Sequence, residues 1–306
     1  MSKTKSTSVR TTRRLLLTYL SAQVGELRSR EPGARIDSPD AVHQMRVASR
    51  RLRSSLATFR PLFNGSRAQH LRAELQWLGT VLGPVRDVEV MRPHLHRTAT
   101  ALAADADFTE ILAELDHVLA ERYSHAHQDL VTVMDSPRFA ELLTALEVFV
   151  ITPPWVKRTA KAAARHTLPA LVGRACARVD RAADTANTAS TAKGALEAGG
   201  VELHEVRKAA KRARYAAEVA RPSAISAAYS LAERMEELQA VLGRHQDSLM
   251  VRALFQDLAS QMTGRQAFAL GLMTAAEQEA DKSFLAAYDV ALAAASTDEV
   301  RDWTPR

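Results

Sequence analysis

A histidine and a series of arginines at three- and four-residue spacing lie between Val42 and Phe63: His43, Arg46, Arg50, Arg53 and Arg60, with Arg51 beside them and no acid in the segment. Imidazole and guanidinium groups in this pattern suit one chemistry, the holding of anionic oxygens. Arginine offers planar, often bidentate donors to phosphate. On a helix with His43 at zero, Arg46, Arg50, Arg53 and Arg60 fall near ~300°, ~340°, ~280° and ~260°, a single longitudinal stripe. Met45, Ala48, Leu52, Leu56 and Phe59 fall between ~140° and ~220°, on the opposite side. Such a helix buries one face and holds a row of cations on the other. The repulsion within that row is relieved by an anionic ligand.

The elements that must position the stripe are helical. Ser38-Pro39-Asp40 reads as a helix start, with Ser38 as N-cap and Pro39 at the first helical position, and Arg60-Pro61 reads as its end. A preceding helix over about 10–30 carries Leu16, Leu20, Val24 and Leu27 and is broken at Glu31-Pro32-Gly33. A following helix over about 66–82 carries Leu71, Leu75 and Leu78 and ends at Gly83-Pro84. Further helices fit about 87–103, 108–134, 137–150, 157–186, 224–242, 246–261 and 265–296, with a loop over 187–200. The last of these carries Phe268, Leu272, Phe284, Leu285 and Tyr288 as candidate core residues. No stretch alternates with period two over a useful length, so the expectation is an all-α protein.

The basic segment occurs twice. His204, Arg207, Lys211 and Arg214 repeat the spacing of His43, Arg46, Arg50 and Arg53; Arg212 matches Arg51, and Arg221-Pro222 matches Arg60-Pro61. Lys208 lies beside the second stripe. Downstream, Leu82-Gly83 through Asp87 matches Leu242-Gly243 through Asp247, with one residue deleted on the way. The repeat is about 160 residues long.

Val42-His43-Gln44-Met45-Arg46 with Arg50-Arg51-Leu52-Arg53, and His204-Glu205-Val206-Arg207-Lys208 with Lys211-Arg212-Ala213-Arg214-Tyr215, resemble the CHAD domain. The resemblance runs from about residue 10 to 296. It implies two antiparallel helical bundles, duplicated four-helix units over about 10–150 and 151–296, related by a pseudo-two-fold axis within one domain. It also implies that the two basic helices line a central positive groove or pore that binds inorganic polyphosphate, in a protein associated with polyphosphate granules. Some family members carry a triphosphate tunnel metalloenzyme domain. None is expected within these 306 residues, where the nearest approach to its Glu-x-Glu-x-Lys motif, Glu277-Gln278-Glu279-Ala280-Asp281, ends in Asp.

Composition agrees with a polyanionic partner. The formal net charge is +6 and apolar residues make up 46% of 306, enough for a real core. Aromatics are 5%, few for stacking on bases, and no nucleic-acid module is recognisable. A nucleic-acid-binding protein using the same stripe is the rival reading. An enzyme acting on polyphosphate would need a metal held by clustered carboxylates, and none is evident; neither an enzyme nor a cofactor is expected. The single cysteine, Cys176, reads as a small core residue, and one thiol allows no intrachain disulfide, as in a cytoplasmic protein. Arg13-Arg14 followed by Leu15-Leu16-Leu17 resembles a twin-arginine signal, but Thr18, Ser21, Gln23 and Glu26 interrupt it, and no run reaches a membrane span.

Several residues keep two readings. His43 and His204 either donate to phosphate, with raised pKa in its presence, or bond a neighbouring helix. Arg51, Lys208 and Arg212 lie at the stripe's other margin and either widen the groove or face solvent. Glu218 falls within the second stripe and is expected to pair with Arg214 or Lys211. Asp87 and Asp247 are either helix N-caps or orient a cation such as Arg86. His94, His96, His125 and His127 form two His-x-His pairs, but residues two apart on a helix face different ways, which argues against a metal site.

Overall fold

Apolar residues at helical spacing and an abundance of alanine dictate helices. The computed structural model describes residues 11–102, 108–156, 162–193, 200–223, 226–259, 261–262 and 264–305. Its helices are α1 (Thr12–Arg35), α2 (Ala41–Thr58), α3 (Arg67–Ala101), α4 (Thr109–Met134), α5 (Pro137–Ile151), α6 (Ala164–Lys193), α7 (Gly200–Ala220), α8 (Ala227–Ala259), α9 (Gly264–Lys282), α10 (Phe284–Ala294) and α11 (Asp298–Arg301). Extended pairing among the described residues is confined to two isolated bridges, Thr11 with Ala163 and Phe63 with Trp155. No described helix is long and apolar enough to cross a membrane.

The basic helices are α2 and α7. Helix α2 packs between α1 and α3, α7 packs between α6 and α8, and α2 and α7 pack on each other. The apolar stripe read from the sequence is the buried one: Met45, Ala48, Leu52, Leu56 and Phe59 are all within 1% of complete burial. Helix α7 buries mostly alanine (Ala209, Ala210, Ala213, Ala216, Ala217 and Ala220), whose small side chains permit close approach.

Four boundaries differ from the sequence reading. Helix α1 runs through Pro32-Gly33 to Arg35, where the Arg35 guanidinium donates to Glu31 and to the Met134 carbonyl. Helix α2 starts at Ala41, two residues later than a Ser38 cap implies; its N-cap is Asp40, at φ 64°, a left-handed conformation that Asp tolerates. The run expected as one helix over 265–296 is divided at Ser283, and Phe268 is 63% exposed, outside the core. Residues 187–193 extend α6, while 157–161 and 194–199 lie outside the described residues.

The largest difference concerns the two Leu-Gly sequences. Neither ends a helix. Helix α3 continues through Gly83-Pro84 and Pro93 to Ala101, and α8 continues through Gly243 to Ala259. An interior proline costs about 3 kcal/mol, whereas each fully buried aliphatic side chain stabilises by about 1.5–3 kcal/mol. Beyond Gly83 the helix buries Val85, Val88 and Leu95, and beyond Gly243 it buries Val251, Leu254, Phe255 and Leu258. Apart from Val85, which joins the main core, these side chains meet in a second apolar cluster, closed by Ile111, Leu115 and Leu119 of α4 and by Leu270 and Met273 of α9. Tertiary burial outweighs the local breaker signal.

Candidate functional site

Continuing α3 and α8 past their glycines changes what the glycines do. Each lies where a cation of the facing basic helix crosses. A Cβ built on Gly83 would be 2.9 Å from Arg46 Nη1, and one on Gly243 would be 3.2 Å from Arg207 Nη2. Arg46 and Arg207 occupy equivalent positions of the sequence repeat. Four residues on, one helical turn, stand Asp87 and Asp247. Because both lie inside helices, the N-cap reading is corrected. The orienting reading fits, with a different cation from the one expected: Asp87 Oδ1 is 3.7 Å from Arg46 Nη2, whereas Arg86 pairs with Glu89 at 2.8 Å. Asp247 acts on Arg207 and Lys211 in the same sense. Burial raises the pKa of both aspartates, and for Asp87 the nearby Asp247 adds to the rise.

Arg46 and Arg50 of α2 and Arg207 and Lys211 of α7 share one electrostatic neighbourhood. Arg50 Nε donates to the Tyr215 hydroxyl at 2.9 Å, directly bridging the two basic helices. Arg207 Nε is buried with no hydrogen-bond partner among the described residues. Lys211 has no ion-pair partner among the described residues; burial first, then Arg207, Arg50 and Arg46, push its ammonium down to about 6 against a smaller opposing pull from Asp247. Burial likewise depresses Arg46 and Arg207, and neighbouring arginines add to it. His43 and His204 flank the cluster. Both are lowered from the usual imidazole value, chiefly by burial, with Arg86 acting on His43 and Lys208 on His204. His204 Nδ1 lies 3.3 Å from Gln246 Oε1.

The remaining sequence-predicted residues go to different places. Glu218 pairs with Arg214 at 3.0 Å, and it also draws in Arg51 at 3.5 Å and accepts from the Tyr19 hydroxyl at 2.7 Å. Arg214 reaches a second carboxylate, Glu236, at 2.9 Å. Lys208 is exposed and pairs with Glu205. Arg60 is occupied by backbone: its Nη1 donates to the Phe63 carbonyl at 2.8 Å and its Nη2 to that of Gly65 at 3.1 Å. Arg53 and Arg212 are half-buried with no ion pair among the described residues, and Arg178, Arg72 and Arg53 act on Arg212. Arg72 and Arg178 were missed from sequence. Neither has an acid three or four residues away, the one signal that could have set them apart.

The histidine pairs diverge as their spacing implies. His94 binds Glu277 at 2.8 Å and His96 binds Asp116, while His125 and His127 meet the carbonyls of Glu121 and Ala34. Among the described residues no group of histidine, cysteine and carboxylate side chains could hold a metal. Cys176 is buried, and burial pushes its thiol up to about 11, away from the reactive thiolate.

The model of the CHAD domain matches residues 18–256. Two uncharacterized proteins of Mycobacterium tuberculosis, from two strains, are each 32% identical over 264 residues, covering 86% of this chain and 49% of theirs. The chain therefore spans about half the length of the curated relatives it matches. Among solved structures, PptA from Streptomyces chartreusis aligns with a TM-score of 0.73 at 21% identity, over 92% of this chain and 99% of that one. The CHAD domain from the plant Ricinus communis aligns with a TM-score of 0.70 at 22% identity, over 94% and 92%. At these identities the structural likeness concerns the fold.

Proposed function

The chain belongs to the CHAD domain family, and from that premise we propose that it binds inorganic polyphosphate in a basic groove between α2 and α7. The observation that carries the reading is the cluster of Arg46, Arg50, Arg207 and Lys211. These four cations come from two helices; burial and the neighbouring cations disfavour the charged forms of Arg46, Arg207 and Lys211, and among the described residues the carboxylates acting on these three are Asp87 and Asp247. A flexible chain of phosphates has no base edges or apolar faces to read, so its binding rests on many moderate contacts of this kind. We propose that His43 and His204 add donors at the ends of the cluster and that Arg53 and Arg212 extend it. Arg51 and Arg214, tied to Glu218, act as the groove wall. Lys208 and Arg60, already partnered, contribute long-range charge.

The same reading takes the domain as residues 10–296, with helical halves 10–150 and 151–296 that place equivalent cations on both walls. The protein is then a binding module rather than an enzyme, needs no cofactor, and associates with polyphosphate granules in the cytoplasm. Nucleic acid is the competing partner, disfavoured because the aromatic ring that touches the central cations among the described residues, Tyr215, is buried and engaged with Arg50.

The test is a titration at physiological salt with long-chain polyphosphate and with single- and double-stranded nucleic acid. It is repeated with Arg46, Arg50, Arg207 and Lys211 changed to Ala. Polyphosphate should bind in preference, and the variant should lose that binding. Equal binding of nucleic acid, or an unaffected variant, would sink the proposal.

A further inference from the structure

Building on the polyphosphate reading, we infer that Arg53, Arg72, Arg178 and Arg212 form a second phosphate subsite. It receives the part of a long chain that runs beyond the central cluster, and it gives the path one open end.

The repeat equates Arg51 with Arg212 and Arg53 with Arg214. The structure pairs these positions across the two basic helices. Arg51 of α2 and Arg214 of α7 meet at Glu218, and Arg212 of α7 has Arg53 of α2 among its neighbours. Equivalent cations thus occur on both sides, in opposite company. On the first side, Glu218 and Glu236 supply two carboxylates for two guanidinium groups, and Tyr19 from α1 completes the hydrogen bonding. That side is electrically satisfied.

On the second side the position equivalent to Glu218, fourteen residues after the histidine, is Ala57. No acid replaces it. Helix α3 brings Arg72 and helix α6 brings Arg178 instead. Arg178, Arg72 and Arg53, from three helices, then all bear on Arg212 of a fourth, and among the described residues none of the four has a carboxylate at ion-pair distance. The packing of α2 on α3, of α6 on α7 and of α2 on α7 holds them there. Arg72 Nε is buried without an acceptor, which a plain solvated face would not show. Arg178 is exposed, so the cluster opens to water.

Unneutralised like charges attract an anion, and planar donors without an apolar wall suit phosphoryl oxygens. The ligand is the same chain as at the centre, because Arg53 lies next to Arg50 and Arg46 in the field as well as in the helix. Arg46 and Arg53 are seven residues apart, about 10 Å along α2. A short chain filling the central cluster leaves the second subsite empty.

Calorimetric titration with triphosphate and with long-chain polyphosphate, at several salt concentrations, tests this on the wild-type protein and Arg72→Ala/Arg178→Ala. The double variant should bind triphosphate as the wild type does and long chains about tenfold more weakly, with a salt slope lower by about 1.4 for two lost contacts. Arg178→Ala alone, at an exposed position that leaves folding intact, should weaken long-chain binding by a smaller factor. Long-chain affinity unchanged in both variants, or an equal loss for both ligands, would overturn the inference while leaving the central site standing. A wild type that binds neither ligand would overturn the polyphosphate reading and this inference with it.

Discussion

Gly83 lies beneath the guanidinium of Arg46, so close that a single added carbon would stand 2.9 Å from Nη1. Gly243 and Arg207 repeat the relationship at 3.2 Å. Both glycines sit in helix interiors, where alanine is favoured by about 1 kcal/mol, and the atom in the way is the movable tip of a long side chain. Gly83→Ala should therefore keep or slightly raise stability to denaturant while weakening polyphosphate binding several-fold, because Arg46 is displaced. Unchanged affinity in a folded Gly83→Ala protein would show that the placement of Arg46 does not matter.

Lys211 supplies a pH signature. Its folded pKa is depressed to about 6 from an unfolded value of 10.5. Between these values the unfolded chain binds a proton that the folded one does not. Its unfavourable contribution is absent above pH 10.5, grows as pH falls and is complete below about 6. Lys211→Met should remove that slope from denaturation curves recorded across the window.

A bound polyanion favours the charged ammonium, so polyphosphate should draw a proton onto Lys211 near neutral pH. Titrations in buffers of different ionisation enthalpy should reveal proton uptake in the wild-type protein and less in Lys211→Arg. Affinity should rise as pH falls toward 6, and the depressed imidazoles of His43 and His204 act in the same direction.

Glu218→Gln removes the charge shared by Arg51, Arg214 and Tyr19. The carboxylate is 10% exposed and its two arginines 28% and 20%, so the loss should be about 1–3 kcal/mol of stability. Polyphosphate binding should survive or strengthen, since two arginines are released. Abolished binding in a folded variant would contradict the assignment of Glu218 to the wall.

Arg60→Ala should separate stability from binding in the same sense. Its two bonds to carbonyls are worth about 1–3 kcal/mol together, and it lies past the end of α2, its guanidinium turned to the Phe63 and Gly65 carbonyls. Denaturation should register the change, with polyphosphate affinity reduced less than twofold.

The helical period made the stripes legible. Hydrophobic spacing placed Met45, Leu52 and Phe59 inward, and cation spacing then placed Arg46, Arg50, Arg207 and Lys211 on the other side. Glu218 was legible as a partner of Arg214, though not of Tyr19, which lies 199 residues away. The long helices were not legible, because Gly83-Pro84 is a strong local stop and only the burial of Val85, Val88 and Leu95 overrides it. Of the two readings open for Asp87 and Asp247, the N-cap one depended on that stop and falls with it, while the orienting one stands with Arg46 in place of Arg86. Arg72 and Arg178 carry no local pattern, and their meaning comes from helices that meet only in three dimensions.

The apolar cluster at the far ends of α3 and α8 bears on how the chain holds together. Val88 and Leu95 come from the first sequence repeat and Val251, Leu254 and Phe255 from the second, and the larger cluster likewise joins Leu16 and Phe149 to Val172 and Leu238. Neither repeat covers its own oily surface. A chain severed after Ile151 would give two sticky fragments, each the natural chaperone of the other, and joint expression rather than separate refolding would be the route to a working molecule.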